Sequence, residues 1–521
     1  MKQTIVLFFT VFSLLSCSAE RKDSMSCLSD RSERPNVIFI YADDLGYGEI
    51  GANGQEKIMT PNLDMMAAEG INFTQHYTGA PVCAPARCML MTGRHAGNSY
   101  IRGNVELGGM YFTDDKEKGQ EPLPEDAYTL GHMFQQQGYV TGAIGKWGLG
   151  MTGNTGHPNK QGFDYFYGYL DQKQAHNYYP THLWENESWD TLLNDFIFVH
   201  NLSAGDRPIN QDAVKNFPKS HLRYGDDHFF EAYSGEEYAV DKMTEKALTF
   251  IHKYKDQPFF LYLPFTIPHV SLQVPDLALE PYLGKFDENP YLSERGYAPH
   301  KYPRAAYASM ITYLDAQVGQ VIKTLQTLGL DENTLVFFSS DNGPTFNGGV
   351  DAEYFNSTAG LRGLKMDLYE GGIRVPMLMR WPGKIAPGQV INHVSAQYDV
   401  MATLAELLGA TLPVETDGIS FLPTLLGKEE QQQKHPFLYF EYPEKGGQVA
   451  VRIGNWKGIK TGLIHHPDQV WELYNLEDDR AETTDLAAKH PEILEAMNQV
   501  VAAEHRPSHL DQWNFLTPLL K

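Results

Sequence analysis

Cysteine is scarce in this sequence, with four among 521 residues. Cys83 and Cys88 stand in one predicted helix, where the short spacing would strain a disulfide between them. A chain of this length can bury a sizeable core without covalent cross-links. We therefore expect no structural disulfide.

Positive charge is also in short supply. Lys and Arg total 42 against 65 Asp and Glu, which gives a formal net charge of −23. Such a chain is a poor partner for nucleic acid or for an anionic membrane surface. Zinc-type Cys/His spacing, a phosphate-binding GxxxxGKS/T loop and a dinucleotide-binding GxGxxG motif are missing as well. If the substrate is an anion, positive charge has to be concentrated at its site.

The apolar run at the N-terminus, residues 4–15, is too short to span a membrane, and it follows a basic start. It fits a secretory signal. Residues 14–17 (Leu-Leu-Ser-Cys) resemble a bacterial lipobox, in which Cys17 becomes lipidated. An ordinary signal peptide that contains Cys17 is the alternative. The sequence thus predicts a lipoprotein-type signal peptide at 1–17 and a tether at 18–33.

This N-terminus also predicts a location. We expect an exported protein, in the periplasm or anchored to the outer membrane of a Gram-negative bacterium. Contact with a membrane would then be made only through the N-terminal lipid.

Strands alternate with helices through most of the chain, which indicates an α/β sheet. Nearly continuous apolar runs are typical of buried parallel strands, and they occur at 35–41, 139–146, 259–264 and 335–340. Helices are predicted at 129–137, 305–328 and 397–408. A polar stretch near 426–434 then separates a large first domain, 34–428, from a smaller C-terminal domain, 435–521. Its predicted elements are strands at 437–442, 449–453 and 456–461 and a helix at 491–504.

Oxygen-rich pairs follow two of the predicted strands. Asp43 and Asp44 come after the first strand, and Asp341 and Asn342 come after a late one. In open α/β sheets, ligands bind outside the carboxyl ends of the strands, so these pairs can converge. Four oxygen donors suit a hard cation such as Ca²⁺ or Mg²⁺. Taken singly, each pair could instead form a turn.

A short helix is predicted in the segment 83–94, CAPARCMLMTGR. Pro85 suits a first helical turn, and Gly93 suits the position just past a helix end. Cys83 would then stand at the helix N-terminus, where negative charge is favoured and cysteine is poised for chemistry on an anion. A buried cysteine that only packs is the alternative.

The Cys-x-Pro-x-Arg and Thr-Gly-Arg pattern of this segment closely resembles the signature of type I sulfatases, a family of the alkaline-phosphatase-like superfamily. In that family the cysteine is oxidised to formylglycine (3-oxoalanine) by a formylglycine-generating enzyme. The resemblance extends from Pro35 to about Leu486. It implies an α/β fold with a large mixed sheet flanked by helices on both faces, and a smaller C-terminal α+β domain with a small antiparallel sheet and a helix.

The resemblance also implies roles for individual residues. Asp43, Asp44, Asp341 and Asn342 would hold one divalent cation, Ca²⁺ or alternatively Mg²⁺, together with the modified residue 83. Lys146 and Lys365 would grip the sulfate, and Lys365 would also contact the leaving oxygen. Arg87 would support the hydrated aldehyde and the carboxylates, and His269 would be the general acid.

One position departs from the family pattern. Many members have a histidine two residues after the first motif lysine, where this chain has Gly148. That histidine normally helps to expel sulfate. Either another group takes that role or the step is assisted by solvent. His176 is the candidate substitute, and it could equally hold the substrate. It lies in an aromatic-rich stretch, 163–189, whose rings mostly pack in our prediction, with one or two lining a carbohydrate cleft.

The sequence therefore predicts a sulfatase that acts on a sulfated carbohydrate, similar to bacterial glycan-degrading exo-sulfatases. A sulfate on galactose or N-acetylgalactosamine is the expected target. A phosphodiesterase or phosphonate monoester hydrolase of the same superfamily is one alternative. A non-catalytic glycan-binding lipoprotein with an unmodified Cys83 is another.

Overall fold

The computed structural model describes residues 34–108, 119–199 and 228–518. The predicted signal peptide and tether, with Cys17, lie outside the described residues. Among the helices that are described, none combines the length and the apolar character needed to cross a membrane.

The strands form one large sheet and three small ones. In chain order they are β1 (Asn36–Asp43), β2 (Ile71–Phe73), β3 (His76–Tyr77), β4 (Glu106–Gly108), β5 (Gly119–Gln120), β6 (Val140–Lys146), β7 (Tyr165–Tyr169), β8 (His182–Glu185), β9 (Ser188–Thr191), β10 (Phe259–Pro268), β11 (Thr334–Ser340), β12 (Met377–Arg380), β13 (Gln389–Ile391), β14 (Ser395–Ala396), β15 (Leu438–Tyr442), β16 (Gln448–Ile453), β17 (Trp456–Thr461) and β18 (Glu472–Asn475).

The large sheet has ten strands in the order β13-β2-β12-β11-β1-β10-β6-β7-β8-β9. Its central strands, from β11 to β7, run parallel to one another. Antiparallel pairings occur on both sides of that centre, at β12 with β11 and at β8 with β7. The predicted mixed sheet is therefore confirmed.

Helices cover both faces of this sheet. In chain order the helices are α1 (Pro61–Ala68), α2 (Cys83–Thr92), α3 (Leu130–Gln136), α4 (Ala239–Tyr254), α5 (Asp276–Leu279), α6 (Pro303–Thr327), α7 (Glu370–Ile373), α8 (Asp399–Leu408), α9 (Leu422–Leu425) and α10 (Pro491–Glu504). Ile38 and Ile40 of β1 belong to the hydrophobic cluster that contains the buried side chains of α4 and α6. Phe39 and Tyr41 belong to the cluster of α2, α3 and α8 on the other face. Side chains on a strand alternate in this way because its period is two.

The C-terminal domain is the predicted small antiparallel sheet with a helix. Strands β15 to β18 pair in sequence order. One face of this sheet packs towards the first domain, where Ala450 shares a cluster with Leu368. The other face carries Val449 and Val451 against Met497 of α10.

Most predicted elements are present with small shifts of their ends. The largest shift concerns β10, which continues from the predicted end at residue 264 to Pro268. His269 therefore follows this strand directly. Helix α6 begins two residues earlier and ends one residue earlier than predicted, and helix α8 begins two residues later.

Candidate active site

Four neighbouring strands of the large sheet end beside one another. Strands β11, β1, β10 and β6 are adjacent and parallel, so their carboxyl ends meet at one edge. Asp43 and Lys146 are the last residues of β1 and β6, while Asp341 and His269 each follow directly after a strand. The sheet alone thus brings together residues that lie far apart in the sequence.

The acidic residues at this edge are buried and in mutual contact. Asp43, Asp44 and Asp341 are fully inaccessible to solvent. The backbone N–H of Asp44 donates to Oδ1 of Asp341 at 3.0 Å. Asn342 donates from its side-chain nitrogen to Oδ1 of Asp44 at 2.7 Å. The two predicted pairs therefore form one cluster, as convergence at a sheet edge requires.

Positive side chains interleave with these carboxylates. Nζ of Lys146 lies 2.6 Å from Oδ2 of Asp43, and Nζ of Lys365 lies 2.6 Å from Oδ1 of Asp44. Burial lowers the pKa of both lysines, but the adjacent carboxylates outweigh it, and the net pKa is raised in each case. Both lysines are therefore cationic at neutral pH, as a site for an anion requires.

The pKa values of two of these carboxyl groups are shifted in opposite directions. Burial raises the pKa of Asp43, but the charges of Lys146, His269 and Arg87 hold it well below its ordinary value. Burial and then the charge of Asp43 raise the pKa of Asp341 to about 7. Several carboxyl groups held so close together favour the binding of a cation.

Arg87 connects three parts of the cluster. Its guanidinium donates to Oδ2 of Asp341 at 2.7 Å and to the backbone oxygen of Lys146 at 2.7 Å. It also lies 3.7 Å from Oδ2 of Asp43. The side chain is fully buried, so each of these contacts is shielded from water. A forked guanidinium suits this task because it holds several acceptors in one plane.

Cys83 is the first residue of α2, as the sequence predicts, and this helix ends before Gly93 in the left-handed conformation (φ 68°). Its Sγ lies 3.5 Å from Oδ1 of Asp43 and 3.5 Å from Nζ of Lys365. The thiol therefore stands between the acidic cluster and one of the two buried lysines. Cys83 and Cys88 are both unpaired by disulfides, as expected.

Ionisation of the unmodified Cys83 thiol to a thiolate is unfavourable in this environment. Burial raises the pKa of Cys83 to about 12, although the charges of Lys146 and Lys365 act in the opposite direction. A thiolate is the nucleophilic form of cysteine, and it is rare at neutral pH with such a pKa. The unmodified thiol is therefore a weak nucleophile at neutral pH.

The N-terminus of α2 offers fewer donors than the sequence suggests. The N–H of Ala84 donates to Oδ1 of Asn104 at 3.1 Å, and Pro85 has no N–H. An anion near residue 83 is consequently attracted mainly by the lysine side chains. Sequence reasoning missed Asn104, because nothing in its local pattern marks it as a partner of a distant helix end.

His269 lies against the acidic cluster. Its Nδ1 hydrogen-bonds to the carbonyl of Val270, which leaves Nε2 3.5 Å from Oδ2 of Asp44. Burial lowers the pKa of His269 to about 4, in spite of the opposing charge of Asp44. The ring is stacked on that of His176, with centroids 4.1 Å apart. Tyr297, which the sequence did not single out, contacts both rings edge-on.

Gly148 adopts a left-handed backbone conformation (φ 78°). A Cβ at this position would lie 2.9 Å from Cγ of Gln172. Many family members have a histidine at the position of Gly148. In this chain Gln172, rather than His176, fills the space beside that position. The amide of Gln172 also donates to Asn104 at 3.5 Å.

The cluster has the composition of a cation site. Ligand atoms of Asp43, Asp44, Cys83 and His269 all lie within 4.8 Å of one another. The side-chain oxygen of Asn342 is buried, and among the described residues it accepts no hydrogen bond. Carboxylate and amide oxygens are the donors that Ca²⁺ and Mg²⁺ prefer, so Asp43, Asp44 and Asn342 fit such an ion, whereas a thiol and an imidazole are not its usual ligands.

Comparisons with known proteins agree with this geometry. Residues 35–410 match the family model described as sulfatase, and residues 364–506 match one described as the C-terminal region of N-sulphoglucosamine sulphohydrolase. Human arylsulfatase A is 32% identical over 502 residues, which cover 89% of this chain and 87% of the relative.

Bacterial proteins are similar over most of the chain as well. The N-acetylgalactosamine-6-O-sulfatase of Bacteroides thetaiotaomicron is 29% identical over 521 residues, which cover 90% of this chain and 93% of the relative. The crystal structure of Ps i-CgsB in complex with k-i-k-neocarrahexaose superimposes with a TM-score of 0.69 and 28% identity, covering 93% of this chain and 97% of that one.

Proposed function

We propose, from the premise that this chain belongs to the sulfatase family, that it releases sulfate from a sulfated carbohydrate through a formylglycine made from Cys83. Its relatives are sulfatases by name, and the chain is accordingly a sulfuric ester hydrolase. The position of Cys83 is the observation that most supports a formylglycine at this site. Its sulfur lies between a buried lysine and a buried acidic cluster, 3.5 Å from each.

The high pKa of the Cys83 thiol supports its role as a precursor. A formylglycine at this position would supply, once hydrated, the oxygen nucleophile and the second hydroxyl needed to release sulfate. Its formation requires a formylglycine-generating enzyme as a partner. Cys83 is buried in the folded chain, so we propose that this oxidation precedes folding.

A divalent cation, Ca²⁺ or Mg²⁺, completes the proposal. Asp43, Asp44, Asp341 and Asn342 would hold it, next to residue 83. Bound there, the ion would supply Lewis-acid stabilisation of negative charge on the sulfuryl oxygens. Arg87 keeps Asp341 and the end of β6 in place for this arrangement.

Lys146 and Lys365 would bind the sulfuryl group directly. Both are cationic and shielded from water, where a charge stabilises developing negative charge more strongly than in solution. A sulfate monoester adds one negative charge to those of the nearby carboxylates, and the two lysines, Arg87 and the cation would offset these charges. The contact of Lys365 with residue 83 places its ammonium beside the reacting group.

His269 would donate a proton to the departing alcohol. Its Nδ1 is engaged by the carbonyl of Val270, so the exchangeable proton of the charged ring is carried on Nε2, which faces the acidic cluster. Burial favours the neutral ring. A bound anion opposes that effect, because negative charge near the ring raises its pKa.

The substrate class is proposed from the relatives. One of them is named for N-acetylgalactosamine-6-O-sulfate, and another is solved with a neocarrahexaose. We propose a sulfate on a galactose-type sugar, within a glycan or its oligosaccharides. The aromatic stretch contributes packing for the most part, since Tyr167, Tyr169 and Tyr178 are buried, while Trp189 is half exposed.

We also propose that the chain is exported and tethered to a membrane by a lipid on Cys17. Substitution Cys17→Ser tests this by fractionation of the native host. The lipidated protein is expected with the membranes, and the variant is expected in the soluble periplasmic fraction. An unchanged distribution would contradict the anchor.

A panel of defined sulfated mono- and disaccharides tests the function. Sulfate release is measured for the matured protein and for Cys83→Ala. We expect release from galactose or N-acetylgalactosamine sulfates and none with the variant. Absence of sulfate release from every sugar, with turnover of a phosphodiester or phosphonate monoester instead, would favour the related hydrolases of the same superfamily. Equal sugar binding by both proteins without turnover would favour a binding protein.

A further inference from the structure

Lys365 lies in a segment without regular structure, between β11 and α7. Two backbone hydrogen bonds fix the chain at this point, one within the segment and one to the residues before α2. The N–H of Lys365 donates to the carbonyl of Pro344 at 2.9 Å, and that of Met366 donates to the carbonyl of Pro81 at 2.9 Å. Pro81 stands two residues before Cys83. The position of Lys365 is therefore connected directly to that of the reacting residue.

The backbone of Met366 is in an unfavourable conformation. Its φ of 72° lies in the left-handed region, which a non-glycine residue adopts only when its surroundings impose it. The direction in which Lys365 leaves the chain depends on this turn, because the two residues are adjacent. Contacts that hold Met366 therefore affect the lysine.

Gln448 of β16 supplies such contacts from the C-terminal domain. Its Nε2 donates to the carbonyl of Met366 at 2.8 Å, and its Oε1 accepts from the N–H of Leu368 at 3.1 Å. The side chain is 1% exposed, so these bonds do not compete with solvent. One amide thus satisfies two backbone groups that flank Asp367, just after the lysine.

A buried charge cluster holds the far end of the same segment. Nζ of Lys457, on β17, lies 3.0 Å from Glu370 and 2.9 Å from Glu482. The N–H of Glu370 donates to Glu482 at 2.7 Å. The C-terminal sheet therefore fixes the segment both directly after Lys365 and at the start of α7.

We propose that Gln448 is a positioning residue that holds Lys365 in its reactive place. The inference rests on the proposed function, in which Lys365 binds the sulfuryl group and contacts the leaving oxygen. It assigns to the C-terminal domain a part in the chemistry of the first domain, through two hydrogen bonds to the backbone.

The substitution Gln448→Met tests this, because methionine has a similar volume but cannot form the two hydrogen bonds. With matured protein and a sugar sulfate, we expect kcat to fall by about ten- to hundredfold and KM to change by less than about threefold. Mass spectrometry of the peptide that contains residue 83 corrects each rate for the converted fraction.

A double-mutant cycle with Lys365→Ala separates positioning from general destabilisation. We expect Lys365→Ala to be slow and the double variant to be no slower, because the amide has nothing left to position. Met497→Ala is the control. It opens a cavity on the opposite face of the same sheet, away from the segment of Lys365, so we expect a lower Tm with kcat unchanged.

Three results would overturn the inference. One is an unchanged kcat in Gln448→Met. Another is a double variant slowed by the product of the two single effects. The third is a loss of kcat in Met497→Ala equal to that of Gln448→Met at the same loss of Tm. If the proposed function itself is wrong, the unsubstituted protein releases no sulfate, and this result differs from the three that concern Gln448.

Discussion

The side-chain nitrogen of Lys365 lies 3.5 Å from the sulfur of Cys83, in a buried cluster whose members come from distant parts of the chain. The same lysine pairs with Asp44 at 2.6 Å. A cation placed between a cysteine and a carboxylate suits an anionic ligand at residue 83.

Removal of the divalent cation is expected to lower stability as well as activity. Three buried carboxylates repel one another, and an ion that binds only the folded state stabilises it by mass action. We expect Tm to rise with added Ca²⁺ or Mg²⁺ after chelation, measured by differential scanning fluorimetry. Asn342→Ala should need more cation for the same rise. Asn98→Ala, whose side chain bonds to Asp417 instead, should respond as the unsubstituted protein does. A Tm insensitive to both ions would contradict the cation site.

The loss of kcat caused by His269→Ala should depend on the leaving group of the substrate. A sugar alcohol needs a proton as it departs, whereas an activated phenol leaves readily without one. We expect kcat to fall by about a hundredfold or more on a sugar sulfate and by much less on a nitrophenyl sulfate. His157→Ala, a buried histidine that contacts the carbonyl of Asn186, serves as the control. Equal losses on both substrates would argue against the general acid.

Gly148→Ala is expected to be unfavourable for two reasons. The backbone there is left-handed, and the added carbon would lie 2.9 Å from Gln172. We expect a lower Tm and a lower kcat/KM. Combining it with Gln172→Ala, which removes the obstructing Cγ, should recover part of the Tm. A neutral Gly148→Ala variant would show that the space beside Gly148 is not restricted.

The charge cluster under α7 predicts a pH dependence of stability. Burial and the charge of Glu370 raise the pKa of Glu482 to about 7. A carboxyl whose pKa is higher in the folded state contributes most stability below its unfolded pKa and loses that contribution as the pH rises through the folded value. The Tm of Glu482→Gln minus that of the unsubstituted protein should therefore increase between about pH 5 and about pH 8. A difference that shrinks over this range would contradict the shift.

The convergence of the candidate site residues could be predicted where they occur in local motifs. Asp43, Asp44, Asp341 and Asn342 follow strands whose apolar runs are easily read, and parallel strands bring their carboxyl ends together. Cys83 could be placed at a helix N-terminus because Pro85 and Gly93 mark the two ends of that helix.

Other residues could not be found in this way. Asn104 and Gln172 contact the site through side chains that have no local signal, and Gln448 comes from a different domain. Their roles depend on packing between segments far apart in the sequence. His176 is singled out by the sequence, but its stacking on His269 could not be predicted, because it requires the loop after β7 to fold over the end of β10.

The central claim, that Cys83 is the precursor of the reactive group, is tested most directly by mass spectrometry of the peptide containing residue 83 in an active preparation. Preparations with different degrees of conversion are assayed on one sugar sulfate. We predict that the aldehyde replaces the thiol and that specific activity rises in proportion to the converted fraction. Full activity with an unmodified Cys83 would contradict the account.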